Sequence, residues 1–224
     1  MECLYNNTCK KTCSPKDVES CIRRIKLETL FRESLLTPQQ QLPIRLWPDA
    51  DGTDEDKFFL LKTQVQENIT NWVKNGNNLY LYSRTPGNGK TSWSVKLLQE
   101  YIYRTWPEAA LRCKILFIHV PTFLLELKAN ISGESQYAEH VLNNVNKADI
   151  VVWDDIATKT MTEFECENLL SLIERRLMQG KSNIFTSNVS TDDLYKLVGD
   201  RLASRLINKS DTVEFRGTDK RCLR

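Results

Sequence analysis

The chain has 224 residues, of which 41% are hydrophobic and 27% are charged, and its formal net charge is +2. This length suits one α/β domain with a small appendage, and the low net charge excludes a global basic field for nucleic acid, so any such site must be a local patch. No apolar run approaches the roughly 18 residues of a membrane span, and the N-terminus lacks a basic-then-apolar export signal. We therefore expect a cytoplasmic protein that contacts no membrane.

Four of the seven cysteines lie in the first 21 residues, at Cys3, Cys9, Cys13 and Cys21. Their spacing lacks the compact C-x2-C knuckle, but four thiolates suffice for a tetrahedral Zn²⁺ site, and this short polar segment has too little apolar surface to fold alone. Cytoplasmic thiols are seldom disulfide-bonded. The cluster predicts a zinc-binding module, and the alternative is four unrelated thiols.

Apolar residues recur at helical spacing over residues 22–36, which predicts a helix there. Its basic residues form either a partner surface or an ordinary solvated face. Three prolines then predict a linker over residues 37–52 that forms neither helix nor sheet. We therefore divide the chain into a small module at 1–36, this linker, and a main domain at 53–224.

The main domain is organised around a strand–turn–helix pattern at residues 79–91, with the sequence LYLYSRTPGNGKT. A Gly-rich turn between a buried strand and a helix is typical of a phosphate-binding loop. The glycines let backbone N–H groups turn inward, and the helix N-terminus adds a partial positive charge. The candidate nucleotide-binding residues are Pro86, Gly87, Asn88, Gly89, Lys90, Thr91 and Ser92.

Two residues of this loop have specific expected roles. Lys90 can reach the β- and γ-phosphates, and the Thr91 hydroxyl can bind Mg²⁺. The motif GxxxxGK[ST] places its first glycine where this chain has Arg84, which weakens the motif without removing it. The alternative is an ordinary Gly/Pro turn followed by a lysine.

A second motif follows at residues 149–155, with the sequence DIVVWDD. Its four apolar residues predict a strand buried on both faces, and the two acids emerge at the carboxyl end, where ligands bind in open α/β sheets. Asp154 is expected to hold Mg²⁺, directly or through water, and Asp155 to orient and polarise the attacking water. Two acids also mark helix starts by chance, but the upstream phosphate loop favours an ATP site.

The other elements alternate between strand and helix. Further strands are predicted at 114–120, 183–187 and 212–215, and helices at 58–73, 92–104, 121–129, 136–145 and after Thr162, which begins a capping box with Glu165. Asn188 is the candidate contact for the γ-phosphate or the attacking water, with Thr186 second, and the alternative is a helix cap. We interpret His119 and His140 as structural.

The order of these motifs resembles that of the AAA+ ATPases that load replicative helicases, the DnaC/DnaI class. The resemblance covers roughly residues 55–224 and is strongest at PGNGKT (86–91), VVWDDI (151–156), TSN (186–188) and GDRLASRL (199–206). Phage and Gram-positive members are also similar in carrying a small Cys-rich N-terminus. The resemblance implies a five-stranded parallel sheet of order 5-1-4-3-2 without a full helical lid.

The resemblance also implies roles for the residues that match its motifs. Lys90 and Thr91 correspond to nucleotide-binding residues, and Asp154 with Asp155 to the Walker B acids. Asn188 corresponds to sensor 1. Three arginines correspond to motif positions: Arg205 to the arginine finger, with Arg201 as the alternative, and Arg221 to the sensor 2 arginine. Asp155 stands where many AAA+ enzymes have Glu, which implies slow hydrolysis.

By this resemblance, the protein is expected to be an ATP-dependent loader that places a hexameric helicase on single-stranded DNA. The expected cofactors are ATP, Mg²⁺ and Zn²⁺, with self-association through the ATP site and the module at 1–36 gripping the helicase. The alternatives are a transposition ATPase, a replication initiator, or a P-loop kinase for a small substrate. No DNA-binding helix-turn-helix follows residue 210, which disfavours the initiator. In the kinase, Arg201 and Arg205 would form a phosphate lid.

Overall fold

The computed structural model describes residues 14–48, 51–108, 112–130 and 135–220. Its centre is a sheet of five strands: β1 (Asn78–Tyr82), β2 (Ile115–His119), β3 (Ile150–Ile156), β4 (Ser182–Ser187) and β5 (Asp211–Glu214). All neighbouring strands are parallel, in the order β2-β3-β4-β1-β5. Read from the β5 edge, the order is 5-1-4-3-2, as the resemblance implied. All five predicted strands form, and β3 extends through both aspartates to Ile156.

Helices cover both faces of this sheet, so its central strands are almost entirely buried. They are α5 (Lys90–Thr105), α6 (Val120–Ala129), α7 (Gln136–Asn144), α8 (Glu163–Met178) and α9 (Thr191–Ile207). One apolar core lies between the sheet and α5, and a second lies between the sheet and α6 to α9. The alternating apolar faces of β3 show the division, because Val152 belongs to the first core and Trp153 to the second.

The N-terminal residues form α1 (Pro15–Arg32), α2 (Pro38–Gln41), α3 (Glu55–Leu60), a π-helical segment (Leu61–Gln66) and α4 (Ile69–Lys74). The single helix predicted at 58–73 is therefore three pieces. The helix predicted at 22–36 begins earlier, because Ser14 forms a capping box with Asp17, and it ends at Arg32.

The domain boundary predicted at residue 37 does not coincide with a break in packing. Leu30, Phe31 and Leu36 are buried in the same core as α5 and β1. The backbone N–H of Phe117 in β2 also donates to the Ser34 carbonyl at 2.8 Å. The end of α1 and the turn after it therefore belong to the body of the main domain.

The segment predicted as a linker, 37–52, is not free of helix. Thr37 and Gln40 form a capping box around α2, with Pro38 in the first turn. The prediction overlooked that proline is well tolerated at the first helical position, where its missing N–H has no partner to lose.

A buried glutamine of α5 fixes this segment to the main domain. Gln99 is 1% exposed, and its Nε2 donates to the carbonyls of Gln40 at 2.6 Å and Leu42 at 2.8 Å. Its Oε1 accepts from the backbone N–H of Ile44 at 3.3 Å. Three hydrogen bonds from one side chain therefore hold residues 40–44 against the helix that follows the phosphate loop.

Three of the four predicted zinc ligands, Cys3, Cys9 and Cys13, lie outside the described residues. Cys21 is described and lies half-buried on α1. Within the described ranges, no group of three or more His, Cys, Asp or Glu side chains is arranged to hold a metal ion. The same ranges contain no helix long and apolar enough to cross a membrane.

Candidate nucleotide site

The loop between β1 and α5 has the backbone shape that its glycines predicted. Gly87 and Gly89 have φ of 74° and 105°, values that disfavour residues with a Cβ. Gly87 is constrained a second time, because a Cβ there would collide with the Asp219 carboxylate. The loop is therefore packed against the C-terminal part of the chain.

Buried polar contacts hold the Lys90 ammonium group inside this loop. Lys90 is 5% exposed, and its Nζ donates to Asn88 Oδ1 at 3.2 Å and to the Thr85 carbonyl at 3.4 Å. The Asn88 amide in turn donates to Ser83 Oγ and to the Phe215 carbonyl. The ammonium group of Lys90 thus lies inside the loop, and an ammonium group binds phosphate oxygens as a point charge.

The two expected magnesium ligands are in direct contact. Thr91 Oγ1 donates to Asp154 Oδ1 at 2.9 Å, and Thr186 Oγ1 donates to the same oxygen at 2.8 Å. Burial raises the pKa of Asp154, which is 5% exposed, and the nearby Asp155 charge raises it further. Carboxylate and hydroxyl oxygens suit Mg²⁺, and a cation here would offset the cost of burying the charge.

Asp155 lies between two side chains at the carboxyl edge of the sheet. Its Oδ1 accepts from Asn188 Nδ2 at 3.1 Å, and its Oδ2 lies 3.7 Å from His119 Nε2. Its backbone N–H donates to Thr186 Oγ1 at 2.9 Å, and its φ is 59°. A left-handed backbone at a non-glycine residue is typical of functional sites, where surrounding contacts impose it.

His119, which the sequence analysis interprets as structural, lies beside Asp155 at this edge of the sheet. It ends β2 in register with Asp154, so its ring reaches the same edge as the acids, while its Nδ1 pairs with Thr122 Oγ1 at 2.7 Å. Its place at a strand's carboxyl end was the signal that could have revealed it. His140 is structural, as predicted, since its Nε2 donates to the Glu33 carbonyl at 2.9 Å.

The predicted arginines of α9 lie away from these residues. Arg205 Nε donates to Glu174 Oε1 of α8 at 2.8 Å. Arg201 borders a shallow groove along α8. Neither is among the described residues that line the nucleotide cleft, so the structure does not bring them together with Lys90. Arg221, the third predicted arginine, lies outside the described part of the chain.

The cleft itself has a volume of about 1130 Å³. Its lining includes all seven predicted nucleotide-binding residues of the phosphate loop, 86–92, together with Asp155 and Asn188. A second part of the lining is a segment that sequence reasoning missed, with residues Arg45, Leu46, Trp47, Pro48 and Asp51. The lining therefore has a phosphate-binding part and an aromatic part.

A second missed element is the segment after β5, residues 215–220, which we call the strap. Lys220 donates its backbone N–H to the Gly87 carbonyl at 3.1 Å. Near the other end, the Asp54 carboxylate accepts the backbone N–H groups of Arg216 and Gly217, each at 2.7 Å. Thr218 and Lys220 thereby line the cleft beside the phosphate loop.

Comparisons with known proteins agree with this geometry. The chain is 22% identical over 127 residues to the replicative helicase loader DnaC of Escherichia coli K12, covering 57% of this chain and 49% of that relative. It thus spans about half of the length of the curated relatives it matches.

Two solved structures share the fold. The DnaI structure has a TM-score of 0.61 and 17% identity, covering 84% of this chain and 95% of that one. The replication initiator DnaA, bound to AMPPCP and single-stranded DNA, has a TM-score of 0.64 and 17% identity, covering 84% of this chain and 53% of that one.

The family match covers most of the site described above, but begins after the cleft-lining segment 45–51. Residues 53–223 match the family described as IstB-like ATP binding protein, a stretch that includes the phosphate loop, both aspartates and Asn188. The chain therefore belongs to the IstB-like ATP binding protein family.

Proposed function

We propose that this protein is an ATP-dependent loader that binds a hexameric replicative helicase in the bacterial cytoplasm and helps place it on single-stranded DNA. The observation that carries the proposal is that Thr91 contacts Asp154 and Asn188 contacts the neighbouring Asp155, beside a cleft that Thr91, Asp155 and Asn188 line. The likeness to relatives named replicative helicase loader supplies the partner.

Different residues of the chain have different roles at the ATP site. Lys90 and the backbone N–H groups of the loop bind the phosphates. Thr91 and Asp154 would hold Mg²⁺, which when bound neutralises charge on the phosphate oxygens. Asn188 fixes the Asp155 carboxylate, which orients the attacking water and accepts its proton. Because Asp is shorter than Glu, we expect slow turnover that depends on a partner or on DNA.

The ATP site is tested by two variants. Lys90→Ala should abolish ATP binding, whereas Asp155→Asn should bind ATP normally and stop turnover, since Lys90 contacts the ground-state phosphates and Asp155 acts on the attacking water. Equal ATP affinity in wild type and Lys90→Ala would refute the site assignment. Binding is measured by calorimetry and turnover by phosphate release.

The proposed N-terminal role needs a truncation that leaves the core intact. We propose that Cys3, Cys9, Cys13 and Cys21 hold Zn²⁺ and that this region contacts the helicase. Because Leu30 and Phe31 are buried in the main core, deletion of residues 1–50 would damage folding as well. Deletion of residues 1–13 should abolish helicase binding and retain ATP binding. Full-rate helicase loading by this variant would refute the adaptor role.

The alternative functions differ from the loader in the ligand that would stimulate the protein or bind to it. A P-loop kinase would be stimulated by a small acceptor, and it would need Arg201 and Arg205 at the cleft, where the structure does not place them. A transposition ATPase of the same family would bind DNA without helicase. Loading of helicase onto circular single-stranded DNA separates both from the loader.

A further inference from the structure

We propose that Trp47 is the platform on which the base of the bound nucleotide stacks, an inference that rests on the proposed ATP site. Trp47 is 73% exposed although tryptophan is the largest apolar side chain. It lines the same cleft as Lys90 and Thr91. An exposed tryptophan inside a ligand-sized cleft is typical of a binding surface.

The position of Trp47 is fixed by the main domain. The Gln99 side chain holds residues 40–44 through three hydrogen bonds, as described above. Ile44 and Leu46 then pack against the core of α5, on either side of the exposed Arg45. Trp47 follows Leu46 directly and precedes Pro48, whose ring restricts the backbone. Since α5 begins at Lys90, one helix sets both the phosphate-binding part and the aromatic part of the cleft lining.

The two parts of the cleft lining differ in chemistry, and the difference suits the two ends of a nucleotide, its phosphates and its base. The phosphate loop offers Lys90 and backbone N–H groups, which bind anions. The part with Trp47 and Pro48 offers flat apolar surface, and the neighbouring Arg45 offers a planar cation, both of which stack on bases. Stacking recognises the π-face of any base, so we expect Trp47 to favour nucleotides over bare polyphosphate without selecting adenine over guanine.

The experiment compares ATP with inorganic tripolyphosphate, which has the phosphates but no base. Trp47→Ala should weaken ATP binding about 5- to 150-fold, the range of stacking on one aromatic side chain, and leave tripolyphosphate affinity unchanged. Trp47→Phe should retain most of the ATP affinity, because a smaller ring still stacks. Phe164→Ala is the matched control, since Phe164 is 40% exposed and is not among the residues lining the cleft.

The outcomes separate this inference from the proposed function. If Trp47→Ala binds ATP like wild type, or loses ATP and tripolyphosphate affinity equally, the stacking role is wrong while the ATP site stands. If wild type binds neither ligand, the proposed function fails first. An unchanged thermal midpoint for Trp47→Phe shows that the fold is retained in the comparison.

Discussion

Asp54 is predicted to clamp the strap against the phosphate loop. It stands at the N-cap of α3 with φ of 61°, yet its side chain caps no N–H of that helix. Instead its carboxylate accepts two backbone N–H groups of the strap, from Arg216 and Gly217. Asp54 has a strained backbone, and its carboxylate contacts the strap and not its own helix. Both features indicate that the role of Asp54 is to hold residues 215–220.

The size of the effect follows from these two hydrogen bonds. A bond to a charged acceptor contributes roughly 1.5–3 kcal/mol when sheltered. The Arg216 N–H is exposed to competing water, so we take about 1 kcal/mol for each bond and about 2 kcal/mol for strap docking. Asp54→Gly keeps the left-handed backbone without penalty and should shift strap opening about 30-fold. Asp54→Asn tolerates the same backbone and keeps a neutral acceptor, so about half of the free-energy change is expected.

Limited trypsin digestion measures strap opening through cleavage after Arg216. Cleavage of a transiently open segment follows its open population when reclosing is fast. Asp54→Gly should be cut up to about 30-fold faster than wild type and should bind both ATP and tripolyphosphate more weakly, since Thr218 and Lys220 leave the cleft. Asp56→Asn is the control, because the Asp56 carboxylate contacts its neighbour Lys57. Identical cleavage of wild type and Asp54→Gly would refute the clamp.

Three further predictions concern other parts of the chain. Burial alone would raise the pKa of Glu165, but hydrogen bonds from Lys128 and Thr162 lower it to about 2, below the ordinary 4.5. The stability from this lowered pKa is present above pH 4.5 and is lost as pH falls toward 2. In Glu165→Gln, the free energy of unfolding should therefore fall by about 1–2 kcal/mol less over that pH window than in wild type, and an unchanged slope would contradict this. Arg205→Ala should bind ATP but hydrolyse it poorly, and mixing with Lys90→Ala should restore some turnover; no rescue at any ratio would contradict action across a subunit interface. Elemental analysis should find about one Zn²⁺ per chain, and equal metal content in a Cys9→Ser/Cys13→Ser variant would count against the zinc site.

The sequence was sufficient wherever the chemistry lies in contiguous residues. The phosphate loop follows one buried strand directly and the two aspartates lie near the carboxyl end of another, so the local pattern predicts both the strand and the ligand-binding edge. The capping box at Thr162 was likewise predictable, because its two partners are three residues apart.

Contacts between distant residues were beyond sequence reasoning. Arg176 is fully buried, where it donates to the carbonyls of Val145, Ala148 and Ser182, although a charged residue in an amphipathic helix predicts an exposed face. The roles of Gln99 and Asp54 depend on partners 55 to 163 residues away. Nothing in the local pattern indicates which polar side chains find such partners.

The same long-range contacts argue against loose tethering of the segment that runs from the end of α1 to residue 44. The turn after α1 is hydrogen-bonded to β2 through Ser34, and residues 40–44 are held to α5 by Gln99. These contacts connect the end of α1 to the sheet, and the segment that carries Trp47 to the helix that begins at Lys90. If the N-terminal region binds the helicase, as proposed, then the helicase-binding site and the nucleotide site are connected through these contacts. Because coupling between two binding sites is reciprocal, ATP should then tighten helicase binding by the same factor by which the helicase tightens ATP binding.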